Sequence, residues 1–388
     1  MELIGLPMSA QKPRSFQAPT PLWTQAEFRR SLESAPPAPA FQARRGGVAK
    51  AAPRSEVVAL MANFEVPIYV EDPEGQVSVS DRKIALSRQF ARLYLPPKID
   101  RDTILIIVHH GFFGRSDYLD PLSRRLSASE NAVVLAADLT GHGRSGGVSL
   151  WNERIGEGFP IHLPQQRAAV LLAWTRYLKD RLGGDARFQA MRGKNGGIPD
   201  PFLVGHSQGG GDVLTYFSMY ANTPGIVLIS AWYTNRLLLG RLSRTFPGLA
   251  RAVLRGMENP QRVLADLNFT AGRKGRKYFR DHPGLVQAFA DQVDPRGDFL
   301  ELSVREAGSH WEDLETALDN PHFLRRLAAS RSAIVLGRFD TRVPPRFSRE
   351  LARRTGLPLL RLDGRHFPML EDPERLARLI ARNFRGGF

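Results

Sequence analysis

A nucleophile stands in the middle of the chain, in Gly205-His206-Ser207-Gln208-Gly209-Gly210. These residues spell G-x-S-x-G directly after the apolar run Pro201-Phe202-Leu203-Val204 and ahead of a helix-like stretch, Asp212 to Met219. A serine on so sharp a strand-to-helix turn is held in strained backbone geometry, with Oγ presented beside the positive end of the helix. Gly205 and Gly209, two positions to either side, leave room for the turn. The chemistry implied is nucleophilic acyl transfer through Ser207. It needs amides aimed at an oxyanion, a base for the serine proton, and a carboxylate behind that base.

Each requirement has a candidate. After the apolar run Ile104 to Val108 comes His109-His110-Gly111-Phe112-Phe113-Gly114, where Gly111 lets the chain turn an amide inward. Phe112 N–H is expected to share the oxyanion with Gln208 N–H, and Phe113 is next in line. Of the nine histidines, His366 is the expected base, because it sits in a loop after the last strand-like run. Only imidazole both takes and returns a proton near neutral pH. His162, His206, His282, His310 and His322 are read as structural, as is His142 in the Gly-rich turn Asp138 to Gly147. Asp340 follows the penultimate strand-like run and is expected to orient His366. Asp363 is nearer in sequence, but three residues across a tight turn is poor geometry for reaching Nδ1.

Strands must bring these loops together. Strand-like runs are Phe64 to Val70, Gln89 to Leu95, Ile104 to His109, Ala132 to Ala137, Phe202 to Val204, Ile226 to Ser230, Ala333 to Leu336 and Leu359 to Leu362. Helical patterns lie between most of them, including Tyr118 to Leu126, Gln165 to Leu182 and Arg346 to Arg354, and Pro373 to Asn383 follows the last. The central runs are continuously apolar, which predicts a mostly parallel sheet covered by helices on both faces. The first two look like an antiparallel edge. Strand rhythm stops between Asn235 and Ser330, which predicts a helical cap over 236–330 inserted into a core of 58–235 and 331–388. Residues 1–57 are rich in Pro, Ala, Ser and Arg, and are expected to form a mostly disordered arm.

Composition excludes several classes. The 388 residues are 42% hydrophobic and 24% charged, enough for a full core, and contain no cysteine. Disulfides, thiolate metal sites and a cysteine nucleophile are therefore ruled out. No apolar stretch approaches the roughly 20 residues that span a bilayer. Met1 to Gln11 lacks the order of a secretory signal, so a cytoplasmic location is expected, with an organellar address through the basic arm left open. The net charge of +15 comes without aromatic interleaving or a nucleic-acid module, so no nucleic acid is expected. The stretch 236–280 holds eleven Lys/Arg against two acids, Glu258 and Asp266, with apolar residues running through it. It is read either as a solvated surface or as a peripheral contact with anionic membrane.

The order Ser207, Asp340, His366, together with the His110-Gly111 loop and the Gly141-His142-Gly143-Arg144-Ser145 turn, resembles the α/β-hydrolase superfamily. The resemblance covers about residues 60 to 388. In style it is similar to the monoacylglycerol lipase and lysophospholipase-type esterases. That implies an α/β-hydrolase fold with a helical cap, and a Ser-His-Asp triad acting through an acyl-enzyme on small-molecule acyl esters. It implies no cofactor and no metal. Gln208 departs from the methionine usual in those enzymes, and the loop Asp185 to Pro199 is longer than expected. Other acyl chemistry on the same triad stays open: a thioesterase, carbon–carbon hydrolase, serine peptidase or acyltransferase. A binding protein of this fold usually lacks a triad residue, and here all three are present.

Overall fold

The computed structural model describes residues 55–71, 77–146, 163–193, 195–220, 222–234, 236–291, 307 and 311–386. The arm expected over 1–57 lies outside the described residues as far as 54, as do His162 and His310. Eight strands form one sheet: β1 Glu56–Glu71, β2 Val77–Leu95, β3 Ile104–His109, β4 Ala132–Ala137, β5 Phe202–His206, β6 Ile226–Ile229, β7 Ala333–Gly337 and β8 Leu359–Leu362. Their order is β1-β2-β4-β3-β5-β6-β7-β8. β1 and β2 form an antiparallel pair, β2 joins β4 antiparallel, and every pair from β4 to β8 is parallel. The expected mostly parallel sheet with an antiparallel edge is the one observed.

The outer hairpin is longer than its apolar runs suggest, beginning at Glu56 and extending through the polar Ser78 to Lys83. Cross-strand pairing, with register shifts between Ala62 and Phe64 and between Pro67 and Tyr69, carries strand geometry past the buried part. The central strands are wholly buried, as in Ala132–Ala137. Such strands need helices on both faces.

Those helices are α1 Asp120–Glu130, α2 Pro164–Gly183 and α3 Gln208–Met219 among the first five strands. β3–α1–β4 and β4–α2–β5 step in opposite directions along the sheet, so right-handed crossovers send α1 and α2 to opposite faces. Between β6 and β7 the chain runs through α4 Leu238–Thr245, α5 Pro247–Arg255, α6 Pro260–Thr270, α7 Arg273–Asp281, α8 Pro283–Ala290, α9 Glu312–Ala317 and α10 Pro321–Ala329. The last turns are α11 Pro345–Thr355, α12 Pro368–Glu371 and α13 Pro373–Phe384. Phe384 of α13 stacks on Phe202 of β5, with ring centroids 4.1 Å apart. No helix among the described residues is long and apolar enough to cross a membrane.

β3 pairs with β4 on one side and with β5 on the other, so the connections leaving β3 and β5 diverge. Such a switch point opens a crevice at the carboxyl ends of the two strands. The loop His110–Gly114 and the turn at Ser207 both face that crevice.

Candidate active site

Ser207 ends β5 with φ 55° and ψ −123°, a backbone conformation that non-glycine residues rarely adopt. Backbone bonds over-determine it. Ser207 N–H donates to Ile229 O at 2.8 Å, and its carbonyl accepts Gly210 N–H at 2.9 Å and Trp232 N–H at 2.7 Å. α3 begins immediately, at Gln208, four residues before the stretch expected from Asp212. Three consecutive glycines hide a helix start from propensity alone, but packing requires them here. A Cβ on Gly209 would sit 2.2 Å from the His110 carbonyl oxygen, and one on Gly205 equally close to Gly209 O.

Gly111 lies against Ser207: a Cβ there would be 2.7 Å from Ser207 Cβ. The loop bearing Phe112 is thereby set beside the elbow. Phe113 has φ 58°, so the loop reverses at the residue after Phe112. Gln208, as the first residue of α3, has an N–H without an intrahelical acceptor. Phe112 and Gln208 thus flank Ser207 from the two strands of the switch point. Gln208 itself is buried, and its carboxamide nitrogen has no hydrogen-bond partner among the described residues.

His366 and Asp340 come together from separate loops. His366 Nδ1–H donates to Asp340 Oδ2 at 2.9 Å, which leaves the His366 Nε2 lone pair to accept a proton. Asp340 Oδ1 accepts the N–H groups of Arg342 and Val343 at 2.8 and 2.9 Å. Burial would raise its pKa, yet the His366 ring and the Val343 amide outweigh burial and hold the carboxyl below its usual range. Asp363 lies on the surface, 3.6 Å from Arg338. Ser207, Asp340 and His366 are each only 5 to 6% exposed.

A hydrogen-bond relay that sequence reasoning missed joins these loops. Gly111 N–H donates to Tyr118 Oη at 2.5 Å, and the Tyr118 hydroxyl donates to His206 Nδ1 at 3.0 Å. His206 Nε2–H then donates to the His366 carbonyl at 2.7 Å. His206 therefore links the Phe112 loop to the His366 loop through its two ring nitrogens. Burial first, and the neighbouring His366 second, push its pKa down to about 3, so it stays neutral. His110 is also buried: Nδ1–H donates to Gly111 O at 2.9 Å, and Nε2 accepts Leu139 N–H at 2.9 Å. Burial, with His142 and His109 nearby, drives its pKa well below 6.5.

Behind the elbow, Asp212 of α3 accepts Arg167 Nε–H of α2 at 2.8 Å and pairs with His109 Nε2 of β3 at 3.2 Å. All three are buried, so this cluster fixes α3, the helix after Ser207, to the strand that leads into the His110–Gly114 loop. The turn after β4 is structural: Asp138 accepts Ser116 N–H and Arg144 N–H, at 2.5 and 2.8 Å. His282 stacks on Tyr278, and His322 N–H donates to Asn320 at the start of α10. No local sequence signal marks the Tyr118–His206, His206–His366 and Arg167–Asp212 bonds, because each joins residues 45 or more apart.

The inserted helices touch the site twice. Thr270 O accepts His366 N–H at 3.1 Å, and Glu371 accepts Gly272 N–H at 2.9 Å and Arg365 N–H at 3.1 Å. Phe112 and Leu239 of α4 both pack against Leu254 of α5. Trp232 meets the Phe112 ring edge-on at 5.7 Å. The surroundings of the oxyanion loop are therefore apolar.

A model of the alpha/beta hydrolase family matches residues 105–379. The chain belongs to that family. No curated protein matches its sequence. Among solved structures, this alpha/beta hydrolase is similar to 2-hydroxy-6-oxo-6-phenylhexa-2,4-dienoate hydrolase from Rhodococcus, with 18% identity and a TM-score of 0.54. That match covers 84% of this chain and 100% of the other. A meta-cleavage product hydrolase from Pseudomonas fluorescens gives 15% identity and a TM-score of 0.52, over 77% and 96% of the two chains. A thermophilic esterase from Thermogutta terrifontis gives 16% and 0.50, over 84% and 99%. At such identities the likeness is one of fold.

Proposed function

We propose that the protein is a serine carboxylic-ester hydrolase acting on apolar acyl esters. The observation that carries this reading is the His366–Asp340 hydrogen bond, on loops that the His206 relay ties to a serine at positive φ. His366 Nε2 takes the Ser207 proton as Oγ bonds to the ester carbonyl carbon. The negative charge moves to the carbonyl oxygen, toward the Phe112 and Gln208 amides. The intermediate collapses, the carbon–oxygen bond to the alcohol breaks, and His366 returns its proton to the leaving oxygen. Water, deprotonated by His366, then attacks the acyl-enzyme. Ser207 regains its proton and the acid departs. Asp340 holds Nδ1–H in place and stabilises the imidazolium at each step.

The apolar acyl group is supported by what touches Phe112, Trp232 and Leu254, with Leu239 packed on Leu254 behind it. A carbon chain there gains about 0.8 kcal/mol for each buried CH₂. The test is labelling by a fluorophosphonate probe, with Ser207→Ala as control, followed by p-nitrophenyl esters of rising chain length. Ser207-dependent labelling, with kcat/KM rising from acetate to octanoate, is expected. A folded protein that resists the probe overturns the serine nucleophile. Labelling without turnover of any ester overturns the ester assignment and directs attention to carbon–carbon or thioester bonds.

A further inference from the structure

Helix α5 has two apolar faces, and only one is used inside the protein. Ala250 and Leu254 point inward, and Leu254 rests on Phe112. On the other side Phe246, immediately before the helix, with Leu249 and Val253 are 61, 55 and 54% exposed. Their spacing of three and four residues sets them in one row along the helix. Pro247, Gly248 and Ala252, exposed in the same stretch, add no polar group to it.

Three large apolar side chains in a contiguous exposed row are unusual on a protein that meets only water. Charge surrounds the row. Residues 238–255 contain Arg241, Arg244, Arg251 and Arg255 and no Asp or Glu. Arg241, Arg244 and Arg255 are exposed, as is Arg262 at the start of α6.

We propose that α4 and α5 dock the protein onto the surface of an anionic lipid bilayer. Phe246, Leu249 and Val253 enter the layer beneath the headgroups, while Arg241 and Arg255 bond to lipid phosphates. An apolar row rimmed by cations suits this occupant. A nucleic acid would meet the arginines with its phosphates but leave the apolar row without a counterpart. The docked helix turns its inner face to Phe112, beside Ser207. If the acyl-ester reading above holds, substrate is therefore delivered from the lipid layer past α5.

The experiment is co-sedimentation of the full-length Ser207→Ala protein with vesicles of phosphatidylcholine alone or mixed equally with phosphatidylglycerol. Binding to the mixed vesicles only is expected. Phe246→Asp/Leu249→Asp/Val253→Asp, changed together, is expected to weaken it about tenfold or more. Arg241→Gln and Arg255→Gln should each cost about fivefold. The triple change is also made in the protein with Ser207 intact, where an unaltered unfolding midpoint shows that the fold survives. Failure of the starting protein to bind mixed vesicles at low salt overturns the proposal. So does undiminished vesicle binding by the apolar triple variant, or equal retention on duplex DNA that only the arginine changes reduce. Vesicle binding is read without turnover, so its outcome stands apart from that of the esters.

Discussion

The loops around Ser207 and the helices inserted between β6 and β7 follow opposite rules of construction. At the elbow, Ser207, Asp340, His366, His206 and Gly111 are fixed by hydrogen bonds of 2.5 to 3.0 Å, and backbones touch where glycine permits. In the insertion, α5 exposes Phe246, Leu249 and Val253 among arginines. The difference teaches where each half of the proposed function resides. Bond-making needs atoms held to a fraction of an ångström, which burial and over-determined bonding supply. Meeting a substrate or surface needs exposed side chains.

The largest expected effect breaks the elbow and spares the surface. Asp340→Asn should lower kcat by about 10⁴-fold, because the His366 tautomer is lost while the fold survives. Asp363→Asn, on a surface residue, should leave kcat within about twofold. Steady-state kinetics on a short soluble ester checks both, and the reverse ranking would hand the orienting role to Asp363.

Glycines sharpen the contrast next. Gly209→Ala places a Cβ 2.2 Å from the His110 carbonyl oxygen, and Gly248→Ala in α5 meets nothing within 4 Å. The first should cost about 3 kcal/mol of stability through overpacking. The second should gain up to about 1 kcal/mol from helix propensity. Urea unfolding of the two variants separates them, and equal midpoints would erase the distinction between close-packed and open regions.

The smallest effect concerns acid. Burial holds the pKa of His206 at about 3 in the fold and that of His110 well below 6.5, so unfolding takes up protons at both as pH falls below 6.5. Stability is full above pH 6.5 and falls as pH drops, by about 2 kcal/mol for His206 at pH 5, with His110 adding a loss of the same sign. Asp340, whose pKa is depressed, adds its own loss only below its ordinary 3.8. Urea midpoints at pH 7 and pH 5 test this, and His206→Gln should flatten the slope. An unchanged slope would place the acid sensitivity elsewhere.

Much of this was legible in the chain. β3 and β4 match their apolar runs residue for residue, because a strand buried on both faces leaves an uninterrupted apolar signature. The start of α3 was not legible, since Gly209 to Gly211 contradict helix propensity and are explained only by the backbones and the Trp311 ring they touch. The hairpin β1–β2 was underestimated because its outer half is polar, and pairing sustains it rather than burial.

By itself, the sequence determined the order of the chemical landmarks, Ser207 before Asp340 before His366, and the strand rhythm that carries them. Those signals are local: a turn needs its glycines nearby, and a buried strand needs an apolar run. Only the tertiary structure decided that Tyr118 and His206 bridge the loops, that Asp212 pairs with Arg167 and His109, and that α5 turns Phe246, Leu249 and Val253 outward. Each of these depends on how the chain folds back on itself, and no pattern of neighbouring residues records that distance.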